Sequence, residues 1–291
     1  MNSTASVIKI KKVNFSAEIY MDPFNKRIRV DDYLGNLEDA IREAELAANE
    51  QQSEKLIFRG RAESFSVLLA HGFQCEAIID GYFLGSDQYF FCKYYSDERR
   101  TSEHWINEDN IVKNVLALEK NSDIIRPPSE YVLKKITSVD AEKLAALYRN
   151  VFQVYPTPLH DPVYIKKTIE EGTIYYAFQF GDELVSAASA EVNLFYKNAE
   201  LTDCATLPSH RKHGLMKFLL EKLEEELQSQ GIYCAYSIAR ALSFGMNAVL
   251  HQLGYTYRGR LLNNCYIFDK LENMNVWVKD LAGEEKKHLK R

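Results

Sequence analysis

Ala199 to Gly231, AELTDCATLPSHRKHGLMKFLLEKLEEELQSQG, joins a strand-like run to a helix-like one through a basic turn. Leu201, Thr202, Cys204, Ala205, Thr206 and Leu207 are apolar or β-branched, as in a central strand, and Pro208 ends the run. From Leu215 onward, Leu215, Phe218, Leu219, Leu223 and Leu227 recur three and four apart, the spacing of an amphipathic helix. Lys217, Glu221, Lys222, Glu224, Glu225 and Glu226 take its other face, and Gly231 supplies a stop. The turn between them is Ser209-His210-Arg211-Lys212-His213-Gly214. The first N–H groups of a helix lack intrahelical partners and sit at the positive end of the helix dipole. Such an end suits an anion, a phosphate above all. Arg211, Lys212 and a charged His213 add positive potential, and Gly214 lets a ligand approach the backbone. An ordinary strand-to-helix turn with its basic residues in solvent has the same letters.

Composition narrows the class. With 291 residues the chain has room for two domains, and 46% hydrophobic with 26% charged residues is the balance of a soluble globular protein. A net charge of −5, with no strongly basic segment before Lys286-Lys287-His288-Leu289-Lys290-Arg291, speaks against nucleic acid as a partner. No apolar run approaches the roughly 20 residues of a membrane span, and the first residues lack a signal-peptide core. Cys75, Cys92, Cys204, Cys234 and Cys265 are widely spaced and fit neither a metal site nor a disulfide framework. They read as the reduced thiols of a cytoplasmic protein without a metal.

In chain order, 7–15 and 24–33 read as strands separated by Asp22-Pro23, 37–49 as a helix with Glu38 and Asp39 in its first turn, and 55–59 as a strand. A helix over 63–71 precedes strands 73–84 and 88–95, which turn at Gly85-Ser86-Asp87. Residues 96–109 read as irregular and 110–118 as a helix. These make an N-terminal α/β domain, 1–119. Pro127-Pro128 marks a linker, 120–130. The second domain, 131–281, holds a strand (131–137), a helix (140–152), a proline-rich loop (155–162) and a helix (163–171). Strands 173–180 and 183–195 lead into the run from Ala199. A strand (232–238), a helix (243–252) and strands 255–260, 264–268 and 275–279 come next, and 282–291 is a charged tail. The class is α/β, in its α+β form.

Arg211-x-x-Gly214-x-Met216 after a strand resembles the pyrophosphate loop of the GNAT family of N-acetyltransferases, whose pattern ends in Gly or Ala where this chain has Met216. Residues 202–214, 236–255, 262–265 and 274–279 are similar to the β-lysine N-acetyltransferases, and the likeness covers nearly the whole chain. It implies a mixed, mostly antiparallel sheet flanked by helices, with acetyl-CoA in a splay between the fourth and fifth strands. By the same resemblance, Ala205, Thr206, Arg211, Lys212, His213, Gly214, Leu215 and Met216 bind that co-substrate, and Ser243 and Asn247 bond its pantetheine amides. A backbone N–H near Ala205–Leu207, freed by a bulge, would hold the oxyanion. The implied acceptor is a small free amine, the ε-amine of β-lysine, and the product Nε-acetyl-β-lysine, a compatible solute.

Acetyl transfer to an amine of pKa about 10.4 gains from a general base. Glu200 and Asp203 lie on the strand, three apart, which in a regular strand sets them on opposite faces. Glu200 is the first candidate for the base, and Asp203 is its rival or a contact to the amine. Where many members of the family carry a tyrosine to protonate the thiolate, this chain has Leu250; Tyr236, Ser243, His251 and Tyr255 lie nearby in sequence. Arg240, Asn263 and Asn264 are candidates for the acceptor's polar groups, and Tyr155 and Thr157 for closing its pocket. Another amino acid, a polyamine, a protein lysine and a non-catalytic acyl-CoA sensor stay open as readings, as does a homodimer. Leu69-Ala-His-Gly-Phe73 also echoes Leu250-His-Gln-Leu-Gly-Tyr255; the N-terminal domain then reads either as a GNAT-like half without a pyrophosphate loop or as any small α/β domain, which gives the same punctuation.

Overall fold

Strands that alternate between two buried faces, broken by two amphipathic helices that bridge parallel crossovers, build one long sheet. The computed structural model describes residues 5–120, 126–267 and 270–282; residues 121–125 of the expected linker and the tail from 283 lie outside these. The first half comprises β1 (Ser6–Lys11), β2 (Phe15–Asp22), β3 (Arg27–Gly35), α1 (Leu37–Glu50), β4 (Lys55–Gly60), α2 (Phe65–Ala70), β5 (Gln74–Phe83) and β6 (Ser86–Tyr94). Two helices, α3 (Asp97–Arg100) and α4 (Trp105–Leu116), lead to the second half. This contains β7 (Tyr131–Lys135), α5 (Ala141–Val151), α6 (Pro162–Glu170), β8 (Ile174–Phe180), β9 (Glu183–Asn193), β10 (Asn198–Thr206) and α7 (Leu215–Ser229). It ends with β11 (Cys234–Arg240), α8 (Phe244–Gln252), β12 (Thr256–Ile267) and β13 (Lys270–Asp280). No helix among the described residues is long and apolar enough to cross a membrane.

The strands run in the order β1-β2-β3-β4-β6-β5-β12-β13-β11-β10-β9-β8-β7. Read inward from the two edges, β1-β2-β3-β4-β6-β5 repeats the order β8-β9-β10-β11-β13-β12, with β7 added to the second half. Each half has one parallel pair, β3/β4 and β10/β11, and each pair is bridged by a long helix, α1 or α7. The halves join where Gly259 of β12 pairs with Ala77 of β5. Gly259 has φ 124°, and a Cβ there would lie 2.3 Å from the Glu76 carbonyl oxygen, so only glycine fits.

The helix-bearing face is packed separately in each half. Ile28, Val30, Leu56 and Phe58 meet Ile41 and Ala44 of α1. Ala199, Leu201 and Ala235 meet Leu219 and Leu223 of α7, with Val115 of α4 in the same core. In the second half the other face is covered too: Leu144 and Tyr148 of α5 and Ile165 of α6 pack on Tyr175, Ala187 and Ala205, which alternate with the α7-facing residues. The opposite face of the sheet is folded over on itself: Ile57, Ile79 and Phe90 pack with Tyr236, Ile267 and Val276. Polar bonds tie the halves as well. Lys55 donates to the Leu262 carbonyl at 2.6 Å, while Arg27 (2.9 Å) and Arg99 (3.2 Å) both donate to the Asn264 carbonyl.

The structure departs from the sequence expectations in definite places. Residues 7–15 are not one strand: the chain turns after Lys11, and β2 was not expected at all. Its alternation, Phe15, Ala17, Ile19 and Met21 buried, is that of a strand, but the run of Ser, Glu and Asp around it dilutes the apolar signal. Residues 96–109 include α3 and the first turn of α4. Because Val115 sits in the α7 core, α4 packs with the second half rather than with the 1–119 unit in which it was placed. Strands expected at 255–260 and 264–268 form the single β12, kinked by register shifts around Gly259 and Leu262–Asn264.

Candidate active site

A cleft of about 730 Å³ opens where β10 and β11 part. Their parallel pairing covers only Asn198–Glu200 against Cys234–Tyr236. Beyond it, Thr202, Cys204 and Thr206 line one wall and Ser237, Ile238 and Arg240 the other. A β-bulge drives the divergence: Thr202 pairs with Ser189 and Ala205 with Ala187, so Asp203 and Cys204 together oppose Ala188. Asp203 has φ 52°. The Leu207 N–H is spent on the Val185 carbonyl at 2.9 Å, which removes it from the expected oxyanion donors. By the alternation of an antiparallel ladder, the N–H groups of Cys204 and Thr206 are then the ones directed away from β9 and into the cleft.

The same bulge corrects the facing of the two strand carboxylates. Glu200 and Asp203 share a face, because the extra residue shifts the side-chain alternation by one. Asp203 is buried and accepts from Ser189 Oγ at 2.8 Å and from the Tyr155 hydroxyl. Glu200 pairs directly with Glu191 across β9 and accepts from the Tyr236 hydroxyl. Burial pushes all three carboxyls up, aided by their mutual repulsion: Glu191 and Glu200 to about 7, Asp203 to about 6. Arg29 and Arg59 pull both glutamates the other way without cancelling the shift. Glu191 is exposed and Glu200 half-buried, while Asp203 is buried, so the three run from the surface inward.

At the far end of the cleft, Pro208–His210 form a 3₁₀ turn, and the chain enters α7 through Lys212 at φ 70° and Gly214 at φ 71°. No side chain caps α7, and its first turn carries no acid, so its leading N–H groups are available to a ligand. Arg211, Lys212, Gly214, Leu215 and Met216 all line the cleft. The Leu215 side chain is in the core, so its backbone is what faces the ligand. Met216, the departure from the family pattern, also leans on that core. Arg211 is exposed and donates to the Thr206 carbonyl at 3.3 Å. His213 stacks near Tyr131, with ring centroids 5.4 Å apart.

Ser243 lies at the cleft mouth, but Asn247 does not serve it. Asn247 is fully buried and its amide is consumed inside: Nδ2 donates to the carbonyls of Arg240 (2.9 Å) and Ser243 (2.7 Å), and Oδ1 accepts from Asn275 (2.9 Å) and Trp277 (2.8 Å). Asn263 is corrected likewise, and Asn264 is buried. Asn263 Nδ2 bonds the carbonyls of Arg99 (3.0 Å) and Thr101 (2.7 Å), and Asn264 is a carbonyl acceptor at the joint between halves. Arg240 lines the cleft in an ion pair with Glu272, 2.7 Å. Tyr155 lines it too, stacked on Phe152 at 4.4 Å, whereas Thr157 bonds Tyr164 beside the carboxylate face.

None of the tyrosines near Leu250 stands where a leaving thiolate would need it: Leu250 is core, and Tyr255 is fully buried beside Glu224. His251 is buried, with Nε2 bonded to the Leu118 carbonyl at 3.0 Å. Glu191, Arg29, Asp31 and Arg59 were missed. Glu191 closes the small-residue run of β9 with nothing local to mark it, and the other three belong to a domain where no site was expected. Among the described residues no group of three or more His, Cys, Asp or Glu side chains is arranged to hold a metal ion.

Residues 141–255 match the Acetyltransferase (GNAT) family. The chain is 42% identical to N-acetyltransferase YodP of Bacillus subtilis over 94% of this chain and 98% of that one. It is 33% identical to the beta-lysine N(6)-acetyltransferase of Methanosarcina mazei, over 86% of this chain and 100% of that one. For the enzyme of the same name from Methanococcus maripaludis the identity is 30%, over 93% and 98%. Solved structures that align include an acetyltransferase of Salmonella typhimurium with acetyl-CoA, at TM-score 0.46 and 13% identity over 54% of this chain and 96% of that one. A spermidine N-acetyltransferase of Vibrio cholerae with CoA and spermine aligns at TM-score 0.45 and 14% identity, over 53% and 98%. With relatives matched along nearly their entire length, the chain is a member of the GNAT family and an N-acetyltransferase.

Proposed function

We propose that the protein transfers the acetyl group of acetyl-CoA to the ε-amine of β-lysine. The observation that carries the acceptor side is the set of three carboxylates, Glu191, Glu200 and Asp203, on one face of the sheet where β10 and β11 part. Two full-length relatives bearing the name of that activity support the substrate.

In this mechanism the pyrophosphate sits on the N–H groups leading into α7, with Arg211, Lys212 and His213 adding charge and Gly214, Leu215 and Met216 offering backbone. The pantetheine arm runs along the cleft between Ala205–Thr206 and Ser243. Glu200, directly or through one water, takes a proton from the acceptor ammonium. The neutral nitrogen attacks the thioester carbon, and the Cys204 or Thr206 N–H bonds the oxyanion. The C–S bond breaks, the nitrogen releases its second proton to water in the open cleft while the thiolate takes one from that water, and Asp203, held by Ser189 and Tyr155, contacts the amine. A carboxylate pushed up to about 7 is a stronger base than an ordinary one and is still ionised above neutrality. We read the N-terminal half-sheet, which repeats the strand order without β7, as a degenerate copy of the same fold.

Thiol release from acetyl-CoA tests the reading, with β-lysine, α-lysine, spermidine and a lysine peptide offered in parallel. Turnover on β-lysine at the highest kcat/KM is expected. A higher kcat/KM on any of the others replaces the substrate and leaves the transfer chemistry in place.

A further inference from the structure

The face that bears Glu191, Glu200 and Asp203 is open to solvent at Glu191 and closes toward Asp203. It looks at the N-terminal half-sheet, where two arginines, Arg29 and Arg59, flank the single carboxylate of Asp31. In β3 the alternation sends Ile28 and Val30 into the α1 core and Arg29 and Asp31 the other way; in β4 it does the same with Phe58 and Arg59. Arg29 grips Asp31 with two bonds, the second at 3.1 Å, and leans over the Tyr20 ring at 4.9 Å. Arg59 Nη1 donates to the Tyr82 hydroxyl at 2.8 Å, and Tyr82 packs on Tyr236, the residue that donates to Glu200, at 5.8 Å between ring centroids.

Two features make this more than internal neutralisation. Arg59 is 7% exposed, and its Nε has no hydrogen-bond partner, lying 3.4 Å from Asp31 without the geometry of a bond. A buried, unpartnered guanidinium N–H is costly unless something fills it. Moreover, among the described residues no ion pair joins either arginine to Glu191 or Glu200, although both arginines act on both glutamates through space. Acids on one wall and two guanidiniums sharing one aspartate on the other, with Glu191 exposed at the edge, fit a ligand carrying both charges. For a polyamine, two fixed guanidiniums opposite the base would be repulsive. For an amino acid with a distal amine they are a carboxylate clamp.

We propose that the N-terminal half-sheet supplies the acceptor-recognition site, in which Arg59 and Arg29 bind the carboxylate of a diamino acid and Glu191 its second ammonium, leaving the distal amine at Glu200. The proposal rests on the acetyltransferase reading above but not on β-lysine in particular. It makes the first half of the chain the specificity element and the second half the chemical one.

The test is the ratio of kcat/KM for β-lysine to that for its decarboxylated analogue, a diaminopentane, in the full-length protein and in Arg59→Gln and Arg59→Lys. The unmodified protein is expected to prefer the acid by about 10–100-fold, the value of one or two charge-assisted bonds. Arg59→Gln is expected to collapse that preference, with the loss in KM for β-lysine, and Arg59→Lys to restore part of it. Titration of acetyl-CoA and thermal unfolding show whether each variant is folded. No preference for the acid in the unmodified protein overturns the proposal even if neither variant folds. So does a folded Arg59→Gln that loses rate equally on both acceptors. Preference for α-lysine over β-lysine, with the carboxylate still required, would remove the β-lysine reading and keep this one.

Discussion

The two half-sheets share a strand order and differ in how the central strand hands the chain to its helix. In the second half, β10 bulges, separates from β11 after three paired residues and enters α7 through a basic loop with Gly214 in the left-handed region. In the first, β3 stays paired with β4 for four residues and enters α1 at once. Asn36 caps α1 with its own side chain, bonding the Asp39 N–H at 3.0 Å, and Glu38 and Asp39 fill the first turn. The same architecture thus presents an open, uncapped helix end in one copy and an end already satisfied and negatively biased in the other. Under the proposed function, a few residues at one turn, rather than the fold, decide which helix end takes an anion. Across the interior the difference inverts: the second half offers carboxylates, the first guanidiniums.

Three experiments bear on that contrast. The largest effect is expected from Glu200→Gln, which should lower kcat by about 10²–10³ while leaving acetyl-CoA affinity in place. The base is protonated below its apparent pKa of about 7, so the rate of the unmodified protein should rise through that pH and the loss in the variant should be greatest above it. A variant that keeps the acid limb would pass the role to Asp203. Stability carries the opposite sign: the folded state holds protons on Glu191 and Glu200 that the unfolded chain releases near 4.5, so this pair favours the folded state less as pH rises from about 4.5 to 7.

Next comes the joint between the halves. Gly259→Ala should cost about 2–4 kcal/mol by thermal unfolding, because the new methyl meets the Glu76 carbonyl and the φ is strained. Gly85→Ala, strained at φ 102° but with nothing within 4 Å, should cost about 1 kcal/mol. Equal losses would mean that the close approach of β12 to β5 does not fix the two halves together.

The smallest effects compare the two helix ends. Arg211→Ala should weaken acetyl-CoA binding about tenfold in a direct titration. Asn36→Ala should leave that affinity alone and cost about 1 kcal/mol of stability through the lost cap. Weakened acetyl-CoA binding in Asn36→Ala would break the distinction drawn between the two ends.

How much of the molecule was legible depends on which signals are local. The strand–turn–helix from Ala199, the basic turn and the order of elements in the second half are written in periodicity and in Pro and Gly punctuation, and they stand in the structure. Helix α1 and its acidic first turn were equally plain. Asn247 and Asn263 were misread because an amide in a promising segment does not reveal whether its bonds are spent inward, as both are here.

The sequence alone determined the family's loop, the candidate base and the alternation that builds each core, since these depend on neighbours a few residues away. Only the tertiary structure decided which carboxylates share a face, because the bulge opposite Ala188 exists only once β10 pairs with β9. It alone set Arg29 and Arg59 opposite Glu200, residues more than 140 positions apart in the chain, by folding the sheet over on itself. A charge has no periodicity, and what it faces is fixed by closure of the fold rather than by its neighbours in sequence.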